Sequence, residues 1–168
     1  MGRFFLLAIS LAGAGAFPHP PGEAADWPHW RGPNRTGVTA EPSGWTGSTW
    51  LADKPAWSAK VGEGASSPLA VGDHVFALGW SGGKDTLHCL GAKDGKPLWS
   101  ASYKCPQYGR HHVGDESLYS GPSSTPELDP ATGLVYTLSA DGDLNCWDAN
   151  ADGKKLWGKN LYDEYKVG

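Results

Sequence analysis

The sequence of 168 residues has little charge and no block of like charges. Charged residues make up 19%, the formal net charge is −4 and the pI is about 5.8. A nucleic-acid or anionic-membrane surface needs a basic patch, so we expect no nucleic-acid partner. No stretch carries a sustained helical period of apolar residues, which disfavours a helical fold. The sequence is instead rich in turn formers and large aromatics, with 24 Gly, 13 Pro and 9 Trp, which favours short strands joined by tight turns.

The N-terminal apolar run is also short. It extends from Phe4 to Ala16 behind a basic start at Arg3, about 13 residues where a membrane span needs ~20. Small residues at Ala12 to Ala16 offer cleavage sites. Residues 1–16 are therefore predicted to be a signal peptide, with an uncleaved anchor as the alternative. The mature protein is expected to be periplasmic or secreted, without a transmembrane segment.

Residues 17–54 form a Pro/Trp-rich N-terminal segment. Its part at 26–37 reads DWPHWRGPNRTG, and the Gly and Pro residues in it exclude a regular element. Two tryptophans and an arginine in so short a loop suggest that it packs onto the rest of the protein.

An internal repeat occupies the rest of the chain. Cys89 and Cys146 are 57 positions apart, and Trp99 and Trp157 are 58 apart. Each unit contains four short β-rich runs separated by turns, at 67–71, 74–78, 86–90 and around 98–99, and again at 124–128, 134–138, 144–147 and around 156–157. The turn after the second run of the first unit is placed at 81–85. Repeated four-stranded antiparallel units are typical of β-propeller blades.

The predicted fold is therefore all-β, a propeller of four-stranded antiparallel blades. Residues 55–168 are predicted to be a partial propeller, with a closing strand at 55–61, a blade at 66–103, a long loop at 104–122 and a blade at 123–162. Propellers need roughly 4 to 8 blades. We therefore expect the chain to be an N-terminal fragment of a longer protein.

The closing series of both units resembles the repeat of pyrroloquinoline-quinone (PQQ)-like propellers. The matching residues are 91–99, GAKDGKPLW, and 148–157, DANADGKKLW. The opening at 27–34, WPHWRGPN, is similar to the start of secreted bacterial members. The resemblance implies that Trp99 and Trp157 lock adjacent blades together (tryptophan docking). It also implies one of two functions: a quinoprotein dehydrogenase that holds PQQ and Ca²⁺ on the ring axis, or a cofactor-free scaffold such as the outer-membrane assembly lipoproteins.

No catalytic, cofactor-binding or metal residue is assigned in this stretch. Trp57, Trp99 and Trp157 recur once per unit, which favours packing over stacking on a single cofactor. The series from Asp148 to Gly153 mimics the start of a calcium loop, but Lys159 stands where the bidentate Glu belongs, so a turn is favoured. Gly82 and Gly83 are interpreted as a hairpin turn rather than a phosphate loop.

The 104–122 loop is the most plausible functional segment, because it is too long for a simple connection. It carries Cys105, Tyr108, His111, His112, Asp115 and Glu116. Adjacent histidines point apart in an extended chain, so a packed or binding loop is favoured over a metal site. Cys89 and Cys146 lie on neighbouring blades ~10 Å apart, too far for a disulfide, and are expected to be buried apolar fillers.

We expect an exported PQQ-like propeller that acts as a binding or scaffold module, with an envelope protein or a polysaccharide as its ligand. The alternative is a PQQ-dependent alcohol or sugar dehydrogenase whose active-site residues lie mostly beyond residue 168. PQQ and Ca²⁺ are expected only under that alternative.

Overall fold

Two four-stranded antiparallel sheets make up most of the structure. It is a computed structural model that describes residues 25–42, 47, 54–110 and 120–166. Blade 1 consists of β1 (Leu69–Val71), β2 (His74–Ser81), β3 (Lys84–Gly91) and β4 (Pro97–Lys104). Blade 2 consists of β5 (Glu127–Asp129), β6 (Leu134–Leu138), β7 (Asp143–Asp148) and β8 (Lys154–Asn160). A 3-10 turn (Ala149–Ala151) precedes β8, and a short helix, α1 (Leu161–Tyr165), follows it. The predicted all-β fold of four-stranded blades is confirmed.

The strands of each blade follow one another as a meander, and the tight turns fix their register. Gly82 and Gly83 form the two-residue turn between β2 and β3, with φ of 58° and 82°. Both values lie in the left-handed region that this hairpin turn requires and that glycine adopts without a Cβ clash. The two blades share an irregularity in their outer strand pair, because the register shifts after Cys89 and after Cys146. Cys89 faces Trp99 and Cys146 faces Trp157, so the sequence repeat is a structural repeat.

Apolar side chains fill the space between the blades. The buried cluster includes Phe76, Leu87 and Cys89 of blade 1, and it continues into blade 2 through Val135 and Trp147. The inward positions of β3 alternate with more exposed ones, as expected for a strand with one buried face.

Two ring contacts join the blades across this core. The ring of Tyr103 stacks on that of Trp147, with centroids 5.9 Å apart. Trp99 lies over Gly153 in the turn before β8, where an added Cβ would come within 2.5 Å of the Trp99 ring. The two blades therefore interlock through aromatic rings.

Residues 55–61, predicted as a strand, are not one in this structure. The nearest backbone pairing is an isolated bridge between Glu63 and Trp80. A strand is defined by its hydrogen-bonded neighbour, and within the described ranges no strand pairs with 55–61. Trp57 nevertheless occupies the place that the repeat assigns to it: its indole donates to the Ala92 carbonyl at 2.9 Å, and its ring covers Gly95. The domain boundaries stay a prediction.

The N-terminal residues 26–37, named the strap from here on, lie along β1 and β5. Trp27 forms a two-way backbone bridge with Ala70. The Leu128 amide donates to the carbonyl of Pro28 at 3.3 Å. The expectation that this segment packs onto the protein is therefore confirmed by its contacts with both blades. The predicted signal peptide at 1–16 lies outside the described residues.

In the described part of the chain, no helix has both the length and the apolar character to cross a membrane.

Candidate functional site at the base of the 104–122 loop

The two ends of the 104–122 loop lie at one end of the blades, where several turns meet. The Cys105 amide donates to the Gly83 carbonyl of the β2–β3 turn at 3.0 Å. The indole of Trp80 donates to the Cys105 carbonyl at 2.9 Å. The loop therefore starts on the hairpin of blade 1, fixed through backbone atoms.

A hydrogen-bonded stem closes the loop near its ends. The Gly121 amide donates to the Gln107 carbonyl at 2.9 Å, and the Gln107 side chain donates to the Ser120 hydroxyl at 3.0 Å. Glu63 accepts hydrogen bonds from both Gln107 and Ser120. Because the backbone of Glu63 is bridged to Trp80 of β2, the stem is attached to blade 1.

Arg110 attaches the loop to blade 2. Its Nε and Nη2 donate to the two carboxylate oxygens of Asp141, each at 3.0 Å, and its amide donates to Asp141 Oδ1 at 2.7 Å. Nη1 donates to Asp163 of α1 at 2.5 Å, and the guanidinium lies 5.8 Å from the centre of the Tyr162 ring. Hydrogen bonds to Asp141 and Asp163 raise the pKa of Arg110. This planar, bidentate geometry is specific to arginine.

A buried polar cluster lies beneath the loop. Asp85 of β3 has no exposed surface, and the Tyr103 hydroxyl donates to its Oδ2 at 3.1 Å. Burial raises the pKa of Asp85, more than its hydrogen bonds to Cys105 and Tyr103 lower it. Burial and the neighbouring Asp85 raise the pKa of Cys105 to about 12 and shift the pKa of Tyr103 upward. The thiol and the phenol therefore keep their protons at neutral pH and do not supply a nucleophile.

The other cysteines are buried as well. Cys89, Cys105 and Cys146 are all buried free thiols, as expected for apolar fillers at positions 89 and 146. Burial raises the pKa of Cys89 to about 11 and shifts that of Cys146 in the same direction.

The calcium-loop mimic forms a turn, as its sequence favours. The Asp148 side chain accepts from the Asn150 amide at 2.9 Å and so caps the 3-10 turn. Asp152 follows in the left-handed conformation, with φ of 52°. Within the described ranges, no group of three or more His, Cys, Asp or Glu side chains could hold a metal ion. His111, His112, Asp115 and Glu116 lie outside those ranges.

The sequence did not predict two features of the structure, one beneath the loop and one at the other end of the blades. The sequence pattern places Asp85 in a turn, but the residue lies in β3 and is buried. The signal was a departure from the repeat: by the spacing of 57 positions between Cys89 and Cys146, Asp85 corresponds to Gly142. The second feature is a cavity of about 310 Å³ between the blades at their opposite end. Val71, Phe76 and Leu128 contribute its apolar wall, and His74 and Asn150 contribute its polar groups.

Comparison with known proteins assigns the family. A family model described as outer membrane protein assembly factor BamB matches residues 49–165, well over half of the chain. This chain belongs to the BamB family. The predicted PQQ-like repeat is thereby confirmed.

Among solved structures, this BamB family member is similar to the quinohemoprotein alcohol dehydrogenase ADHIIG from Pseudomonas putida HK5. The identity is 25%, and the TM-score is 0.44. The match covers 62% of this chain and only 14% of the dehydrogenase chain. No curated protein matches the chain.

Proposed function

We propose that this BamB family member is a binding or scaffold module of the bacterial envelope. The family's description as an outer membrane assembly factor supports an envelope protein as its partner. Export by a signal peptide at 1–16 and a periplasmic or secreted location belong to this proposal.

The observation that carries the proposal is the double attachment of the 104–122 loop. Its first part is paired through Arg110 with Asp141 on blade 2, and its end is paired through Ser120 with Glu63 beside blade 1. The polar side chains of the base thus hold the two described ends of the loop, 104–110 and 120–122, against the blades. Loops fixed on rigid sheets commonly carry binding residues. We propose that this loop contacts the partner.

Ring formation is the second part of the proposal. Trp57 covers Gly95 and Trp99 covers Gly153, so each indole meets the glycine of the next Asp-Gly-Lys turn. Trp157 stands at the equivalent place and is 42% exposed. We propose that Trp157 covers the corresponding glycine of a further blade. We also propose that several such blades close a ring together with the predicted N-terminal segment at 17–54 and the partial propeller at 55–168.

Site-specific photo-crosslinking in cells tests the proposed function. The complete protein would carry the photo-reactive group at Lys104, beside the loop base, or at Lys93 on the opposite turns as the matched control. Both positions are exposed. We expect crosslinks to one envelope protein from position 104 and none from position 93.

The alternative, a PQQ-dependent alcohol or sugar dehydrogenase, predicts a quinone absorbance that bleaches with an alcohol or sugar substrate. That result would overturn the proposal.

A further inference from the structure

The strap uses the backbone groups that the inner blade edges leave free. The Trp27 amide donates to the Ala70 carbonyl at 2.6 Å, and the Ala70 amide donates back to Trp27 at 3.1 Å. The next strap residue, Pro28, accepts from the Leu128 amide of β5 at 3.3 Å. An exposed strand edge is a template for pairing with another chain. Here a segment of the same chain pairs with the edges of both blades.

Side chains strengthen this attachment. Glu127 of β5 accepts from both Nη1 and Nη2 of Arg35, and Nδ1 of His29 lies 2.7 Å from its Oε1. At the other end of the strap, Asp26 accepts from the Gly72 amide at 2.7 Å. Both carboxylate oxygens of Glu127 are therefore engaged by the strap.

The edges that the strap covers are the axial ones. Consecutive residues, whose Cα atoms lie only ~3.8 Å apart, reach β1 with Trp27 and β5 with Pro28. The two blades therefore converge along β1 and β5. Blades of a propeller radiate from a central channel, so the converging edges face it.

PQQ and Ca²⁺ do not fit this edge as the chain builds it. A calcium site needs several free oxygen ligands. Two oxygen-bearing groups of the axial edge, the Ala70 carbonyl and the Glu127 carboxylate, already accept hydrogen bonds from the strap. We infer that the strap occupies the axial edge of blades 1 and 2 and excludes a planar cofactor from it. The inference rests on the proposed cofactor-free function and gives it a structural cause.

Hydrogen exchange of the complete protein, with and without PQQ and Ca²⁺, tests the inference. The reporters are the amides of Ala70 and Leu128, which donate to backbone carbonyls of the strap. The release variant combines Asp26→Ala, at a half-buried residue, with Arg35→Ala, at an exposed one; neither side chain belongs to the core cluster. Val38→Ala, at a residue just beyond the strap that is 68% exposed, is the matched control.

We expect protected reporter amides in the wild type and the control, at least tenfold faster exchange in the release variant, and no PQQ binding by the wild type. Unprotected reporter amides in the wild type would overturn the inference. So would PQQ binding that leaves these amides protected. PQQ binding that removes their protection would support the strap as a competitor of the quinone, while overturning the proposed cofactor-free function.

Discussion

The indole ring of Trp99 lies directly against the α-carbon of Gly153, so an outer strand of blade 1 is fitted to a turn of blade 2. Gly153 has φ of 72°, and no side chain can be added there without displacing the ring. One glycine thus serves both the turn and the contact between blades.

Replacing Gly153 with alanine is expected to lower the thermal stability of the protein. A non-glycine residue in the left-handed region costs about 1–2 kcal/mol, and overpacking against Trp99 adds roughly 1–3 kcal/mol. Gly82→Ala is the matched control, because Gly82 has φ of 58° and open space around its α-carbon. Thermal unfolding should show a clearly larger loss for Gly153→Ala than for Gly82→Ala. Equal losses would mean that the Trp99 contact carries no energy.

Replacing Arg110 with alanine is expected to release the 104–122 loop from blade 2. The variant removes the two side-chain hydrogen bonds from Arg110 to the Asp141 carboxylate, a nearly buried group, together with the positive charge beside it. Chymotrypsin, which cuts beside tyrosines such as Tyr108, should cleave the loop faster in this variant. Lys159→Ala, which breaks an exposed pair with Glu164, is the control and should leave cleavage unchanged. Similar cleavage of both variants would contradict the role of Arg110.

The buried Asp85 should make stability depend on pH. Its folded pKa is raised above the ordinary value of 3.8, so the folded state holds a proton that the unfolded state has lost. Stability should therefore fall as pH rises from 3.8 to the folded pKa and should become flat above it. Asp85→Asn keeps an acceptor for Tyr103 and removes the titration. Denaturant unfolding at a series of pH values should show a flatter profile for the variant, and an unchanged profile would refute the assignment.

The three thiols should not react with a thiol reagent in the native protein. Cys89 and Cys105 are buried, and their pKa values of about 11 and 12 leave almost no thiolate at pH 8. A colorimetric thiol reagent should report no rapid reaction at Cys89, Cys105 or Cys146 before denaturant is added, and reaction at all three afterwards. A fast native thiol at one of these positions would place it at the surface.

The strands and turns of the blades could be predicted from the sequence, because the residues that determine each of them lie close together along the chain. Alternating buried and exposed residues determine a strand such as β2, and Gly82 and Gly83 determine the turn that follows it. The repeat of Trp99 and Trp157 then placed whole units in register. The closing strand at 55–61 stays a prediction, because a strand forms only beside a neighbour and no strand of the described residues pairs with this segment.

Most of the candidate site could not be predicted from the sequence. The pairing of Arg110 with Asp141 and Asp163 joins the loop, a turn and a helix that are far apart along the chain. The 104–122 loop could be singled out by its length, yet neither its stem nor the burial of Asp85 beneath it follows from local composition. Only the fold brings these groups together.

The strap changes how the two blades can come apart. In most repeat proteins each unit is coupled to its immediate neighbour alone, so units can open one at a time. Here one segment is bonded to Ala70 in one blade and to Leu128 in the other, and opening either blade breaks part of the shared attachment. The strap is also synthesised before both of its partners, so it can complete its bonds only after blade 2 has formed. We therefore expect its docking to be the last step in the assembly of this pair, and we expect the two blades to unfold together.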